Sequence, residues 1–235
     1  MMVFATHNVI LFLRLVICIV LIVGVGAHFS LAEEIHGTAE DLADKVQLRY
    51  EKTMDFSADF SQTLLIEGFQ TPMQSSGRVS IKKPGRLYWE YRHPHKESIY
   101  VDGERVTFYI PAHNQMIQST LSQLEESRAP LHLLQGATQL REYFSLESVQ
   151  WNVSSNGGLH LLSLRLKKDG RVDSERSIVI GVDRQNYYIQ TLVMYEPNGN
   201  VTTIHFSNVK ANSNLPDSLF QCEMPMDVEI IQDLP

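Results

Sequence analysis

Between residues 56 and 210 the chain keeps returning to one pattern: a short run in which apolar and polar residues alternate, closed by a tight-turn signal. Phe60, Gln62, Leu64 and Ile66 alternate with polar residues, as do Val79 and Ile81, and then Leu87, Trp89 and Tyr91. Ile99 and Val101 lead into Asp102-Gly103, and Val106, Phe108 and Ile110 follow. Further runs cover 159–168, 174–183, 187–196 and 200–210, separated by Asp169-Gly170, the stretch 183–186 and Asn198-Gly199. A period of two sends successive side chains to opposite faces of a pleated strand, and Asp-Gly or Asn-Gly supplies the positive φ of a hairpin turn. Strands this evenly spaced, with no helices between them, predict a mainly β fold. The expected form is one large antiparallel sheet, strongly twisted or curled toward a barrel.

Two segments break the pattern. Residues 38–53 read as an amphipathic helix capped by Thr38, with acids in the first turn and Ala39, Leu42, Ala43, Val46 and Tyr50 on one face. Residues 121–144 read as two or three short helices broken at Pro130 and Gly136, with Leu131, Leu133, Leu134, Leu140 and Phe144 as their apolar side. Helices this few cannot cover both faces of a large sheet. They predict a plug or lid on one side.

The N-terminus carries Arg14, an aliphatic run from Leu15 to Val25, and Ser30-Leu31-Ala32 before two glutamates. This is the pattern of a secretory signal peptide over residues 1–32, so residues 33–235 are expected as one exported domain with a core of its own. The net charge of −7 argues against nucleic acid and against adhesion to anionic lipid. Beyond residue 32 only Cys222 remains, so no internal disulfide forms and the core must hold the fold. Cys222 is expected as a buried strand thiol.

Catalytic motifs are missing. The chain has no Gly-x-Ser-x-Gly elbow, no phosphate loop and no His-Glu-x-x-His helix. His93 and His95 flank Pro94 without a companion ligand at metal spacing. The sequence therefore predicts neither an enzyme nor a cofactor or metal site. What it does carry is apolar surface with few polar anchors. Periodicity alone does not separate packed core from the lining of an apolar cavity.

Residues 56–116 resemble a known family. Phe56, Phe60 and Gln62 match a Phe-x-x-x-Phe-x-Gln segment that follows its first helix. Gly77, Lys83, Pro84, Leu87, Trp89 and Pro94 match a glycine, a strand, and a basic residue before proline and a tryptophan strand. Asp102, Gly103, Phe108, Tyr109 and Pro111 match a turn and an aromatic-Tyr-x-Pro segment, and Phe220, Pro225 and Val228 match a closing strand and proline-containing tail. In this ordered set the chain resembles the periplasmic outer-membrane lipoprotein carrier family, LolA.

The resemblance implies an unclosed antiparallel β-barrel whose helices cover an apolar cavity. It implies a periplasmic, monomeric chaperone without a cofactor. Such a chaperone takes triacylated lipoproteins from an ATP-driven complex in the inner membrane and hands them to an outer-membrane receptor. A lipid-binding sensor or receptor domain of the same fold is the alternative. Under the family reading, Phe60, Leu64, Val79, Ile81, Leu87, Trp89, Tyr91 and Phe108 line the acyl-chain cavity, and Leu42, Val46, Leu131 and Leu134 face it from the helices. Lys83 stands where the family usually has an arginine that latches the lid. Lysine keeps the charge but loses the planar five-donor fork, so a weaker latch is expected. Lys82, Arg86, Tyr88, Glu90 and Arg92, on the opposite face, are expected to meet water.

Overall fold

The computed structural model describes residues 37–121, 140–168, 171–223 and 225–232. The expected signal peptide and the expected lid residues Leu131 and Leu134 lie outside them.

Helix α1 spans Ala39–Glu51. The Thr38 hydroxyl accepts from the Asp41 N–H at 3.2 Å, and the Asp41 carboxylate accepts from the Thr38 N–H at 2.6 Å. That reciprocal pair fixes the helix start, and such a cap stabilises a helix by about 1 kcal/mol. The expected face is the one buried: Leu42, Ala43, Val46 and Tyr50.

Twelve strands follow: β1 (Asp55–Leu65), β2 (Met73–Lys82), β3 (Arg86–His93), β4 (Glu97–Asp102), β5 (Arg105–Ile110), β6 (Gln115–Thr120), β7 (Phe144–Val153), β8 (Leu159–Lys168), β9 (Arg171–Val182), β10 (Ile189–Tyr195), β11 (Val201–Ala211) and β12 (Glu229–Gln232). A four-residue helix α2 (Leu140–Tyr143) precedes β7. All twelve belong to one sheet, in the order β12-β6-β5-β4-β3-β2-β1-β11-β10-β9-β8-β7. Every pairing is antiparallel except β12 with β6, and β12 and β7 remain as edges, so the sheet is unclosed. The mainly β, unclosed-barrel fold is the expected one.

Phe144 is not part of a helical insert, as its apolar neighbours had suggested. It opens β7 and is almost wholly buried. Two register shifts in β7, at Leu146/Ser148 and Gln150/Val153, interrupt its alternation and hide the strand in the sequence.

One face of the sheet carries the core. Phe56, Ile81, Leu87, Val101 and Val106 form a row across β1 to β5, each paired with the next. Ala58, Val79 and Trp89 form the row beside it. Helix α1 docks over β7 and β8 and closes this end. Tyr50 sits edge-on to Tyr188 at 5.6 Å and against Phe56 at 6.3 Å, while its hydroxyl accepts from the Ile189 N–H at 3.2 Å.

On the opposite face Arg92 is exposed as expected, but the end around Lys82 and Arg86 does not simply meet water. The chain after β11 crosses it as a strap. The Asp55 carboxylate accepts from the Ser213 N–H, the Ser213 hydroxyl and the Asn214 N–H at 2.8–3.1 Å. Lys82 Nζ donates to the Leu215 carbonyl and to Asp217, both at 2.6 Å, and Arg86 pairs with Asp217 at 2.9 Å. The short turn Asp217–Phe220 lies on β3 and β4 and buries Phe220. Tyr88 stacks on Tyr100 at 4.7 Å. Lys82 and Arg86 thus fasten a covering segment instead of facing solvent. Cys222 is half-buried in that strap, not in a strand, and burial pushes its thiol pKa up.

Candidate functional site

The core face does not fill evenly along its strands. β1 runs about 30 Å from Asp55 to Leu65 at strand rise, and the packed rows occupy only its first half. At the far end a cleft of about 470 Å³ opens, lined by Gln62, Leu64, Met73, Tyr91, Ile99, Phe108, Ile110 and Ile117 among others. The strand register explains this composition. Ile99, Phe108 and Ile117 continue the Val79–Trp89 row onto β4, β5 and β6, where no helix of the described residues covers them.

Gly77 shapes the inner wall. A Cβ there would overlap the Glu90 carbonyl oxygen and touch the Phe60 ring. Its absence lets Phe60 lie against Trp89 at 4.7 Å and edge-on to Tyr91 at 5.2 Å. The Tyr91 hydroxyl donates to Gln62 Oε1 at 3.2 Å, and burial, reinforced by the nearby Glu97 charge, raises the Tyr91 pKa. Trp89 Nε1 is the one buried side-chain nitrogen or oxygen without a hydrogen-bond partner among the described residues. Polar groups also contribute to the lining: Gln74, Ser75, His93, His95, Glu97 and Ser98. An apolar lining with a few polar groups is suited to holding a hydrocarbon ligand by burial, with its polar end in water.

Lys83 lies at the other, packed end. Its Nζ donates to the Tyr50 carbonyl at 2.6 Å and to the Glu51 carbonyl at 3.2 Å at the C-terminal end of α1, where the Tyr50 carbonyl also accepts from the Thr53 N–H at 3.1 Å. Burial lowers its pKa, with Glu51 acting in the opposite direction.

Of the described residues expected to line the acyl-chain cavity, only Leu64, Tyr91 and Phe108 line this cleft. Phe60 and Trp89 sit behind its inner wall. Val79, Ile81, Leu87, Leu42 and Val46 are packed core, each no more than 4% exposed. Sequence reading passed over Met73 and Ile117, and it counted Gln62, Ile99 and Ile110 as strand positions without giving them a place in a site. The same alternation contained the signal for all of them. No group of three or more His, Cys, Asp or Glu among the described residues is placed to hold a metal ion.

Residues 51–223 match the family model of the outer membrane lipoprotein carrier protein LolA. The chain belongs to the LolA family. The outer-membrane lipoprotein carrier protein of Nitrosomonas europaea is 28% identical over 184 residues, covering 77% of this chain and 84% of its own. That of Pseudomonas fluorescens is 30% identical over 203 residues, covering 84% and 91%. In fold, the chain is similar to the crystal structure of an uncharacterized conserved protein from Thermus thermophilus, with a TM-score of 0.51 at 14% identity over 83% of this chain and 99% of that one. No helix among the described residues is long and apolar enough to cross a membrane.

Proposed function

We propose that this LolA-family chain is a periplasmic chaperone that binds the acyl chains of lipoproteins released from the inner membrane and carries them to the outer membrane. The observation that carries this reading is the apolar cleft at the end of the sheet that no described helix covers, the other end being packed solid. Family membership supports lipoprotein as the cargo; under this reading triacylated lipoproteins are received from an ATP-driven releasing complex and passed to an outer-membrane receptor. No catalytic step is needed. Each buried methylene contributes about 0.8 kcal/mol, so one long acyl chain gains roughly 10 kcal/mol on leaving water.

Affinity from burial alone would make release slow, and Lys83 offers a counterweight. If helix α1 must shift for the packed end to admit further chain, breaking the Lys83 contacts to Tyr50 and Glu51 subtracts from binding. Cargo is then held in water and still given up to a receptor that binds it better.

The test is to add residues 33–235 to spheroplasts that synthesise a triacylated lipoprotein. The expected result is lipoprotein in the supernatant, bound one-to-one. No release, together with retained binding of a fluorescent fatty acid, would rule out the carrier reading and point to a lipid-binding sensor or receptor.

A further inference from the structure

The hairpin joining β1 to β2 ends in apolar side chains that the sheet does not bury. Leu65, Phe69 and Met73 are 42%, 67% and 60% exposed. Across β11, Leu65 pairs with Val201, which pairs with Tyr195, itself 45% exposed, so Leu65 and Tyr195 share one face. Leu64 pairs with Met73 on the other face, and Phe69 stands at the turn between them. The two hairpin ends are tied together: the Glu67 N–H donates to Asn200 Oδ1 at 3.1 Å, and Glu67 packs so closely on Gly199 that a side chain there would collide with it. The Phe69 N–H closes the turn on the Ile66 carbonyl at 3.0 Å.

We propose that this end of the sheet is a tip that dips into a bilayer surface of zwitterionic lipid. The inference rests on the acyl-chain reading of the adjoining cleft. Three features select a bilayer over a protein partner. First, apolar groups lie on both faces of the sheet end and at its apex. A fluid interface surrounds such a tip, whereas one flat protein surface meets one side of it. Second, these few side chains fall far short of the roughly 20–30 residues per side that a standard protein interface uses. Third, Leu64 and Met73 belong to both the tip and the cleft lining. An acyl chain leaving a bilayer there moves from lipid onto protein without crossing water. The charge selects the headgroup: the chain is net negative, and Glu67 and Glu196 flank the tip, so anionic lipid is disfavoured.

Every described element lies within the compact unit Gly37–Pro235, and the experiment uses residues 33–235, which contain that unit entire. That chain is sedimented with vesicles of phosphatidylcholine and phosphatidylethanolamine. The triple variant Leu65→Ser, Phe69→Ser, Tyr195→Ser, which leaves the cleft lining intact, is expected to partition at least about tenfold less. Leu48→Ser and Val172→Ser, exposed apolar positions elsewhere, are expected to partition as the parent does. A Phe69→Trp reporter is expected to shift to the blue with vesicles and to be quenched by brominated lipid. Added phosphatidylglycerol is expected not to strengthen binding. Equal partitioning of parent and triple variant, or an unshifted reporter, overturns the tip. Uptake of a fluorescent fatty acid without vesicles keeps the two ideas apart: uptake with no partitioning sinks the tip alone, and loss of both sinks the cleft reading as well.

Discussion

The two ends of the sheet are built from the same alternation and come out differently. At the end near Lys83, the inward residues Phe56, Ile81, Leu87, Val101 and Val106 are buried to 4% exposure or less. At the end near Leu65, the inward residues Leu64, Tyr91, Ile99 and Phe108 border open space. Neither hydrophobicity nor spacing distinguishes the sets. What differs is what covers them: α1 and its aromatic contacts close the first end inside while the strap fastens it outside, and no described element covers the second. Among the described residues, the cleft differs from the core by the packing element over it, not by a special residue type.

The sharpest way to break the comparison is to truncate one residue of each kind. Leu87→Ala, at full burial between Ile81 and Val101, is expected to cost about 2–5 kcal/mol in urea unfolding while leaving fatty-acid affinity per folded molecule nearly unchanged. Phe108→Ala, half-exposed in the cleft, is expected to cost only roughly 1–2 kcal/mol. It should weaken binding of a fluorescent fatty acid several-fold. If the two variants lose stability equally and bind equally, the ends do not differ as described.

Next in size is the strap, which fastens only the packed end. Asp55 is 5% exposed and accepts from two N–H groups and a hydroxyl of residues 213 and 214. Asp55→Asn keeps the shape but removes the charge, and is expected to cost about 1.5–3 kcal/mol. Loosening the strap should also speed the reaction of the Cys222 thiol with a soluble disulfide reagent. An unchanged thiol rate alongside lost stability would mean that Asp55 acts locally and does not hold the strap.

This asymmetry explains what the sequence disclosed. The alternation gave the strands of the long hairpins and the antiparallel sheet, because a half-buried strand writes its two faces directly into its residues. Thr38, Asp41 and the Leu42–Val46–Tyr50 stripe gave α1 in the same way. Three things were not written there. β7 shifts phase at its bulges, so Phe144 looked helical. The strap is fastened by charges that look like ordinary strand ends, so Lys82 and Arg86 read as solvated when their partner Asp217 lies far along the chain. The split between core and cleft depends on where α1 lands, a long-range fact that no local pattern holds.

Lys83 sharpens the comparison from the packed side. Lys83→Met removes both donations to the end of α1 and is expected to cost about 1 kcal/mol. Amide exchange should quicken in the last turn of α1, and fatty-acid release should quicken if the helix gates the packed end. Lys83→Arg, able to reach both carbonyls through one planar fork, should slow both. Exchange rates identical across all three proteins would remove Lys83 from any latch.

The smallest effect is a pH response confined to the packed end. His160 is buried with its ring edge-on to Trp151 at 4.5 Å, and Nδ1 accepts from the Asn152 N–H at 3.2 Å, which requires that nitrogen to be unprotonated. Burial lowers its pKa, Lys45 and Arg184 lower it further, and Asp183 opposes them. Lys45 also lies over the Trp151 and Tyr187 rings at 5.3 and 5.5 Å. The unfolded chain therefore takes up a proton at the ordinary histidine pKa, near 6.5, before the folded chain does. Stability from the neutral ring is complete above that pH and is lost as pH falls below it toward the depressed folded value. His160→Gln should flatten the dependence over that range, and fatty-acid binding per folded molecule should stay level in both proteins, since the cleft lies at the other end. If His160→Gln keeps the parent's slope, the acid response arises elsewhere; if binding falls in step with stability, the two ends are coupled after all.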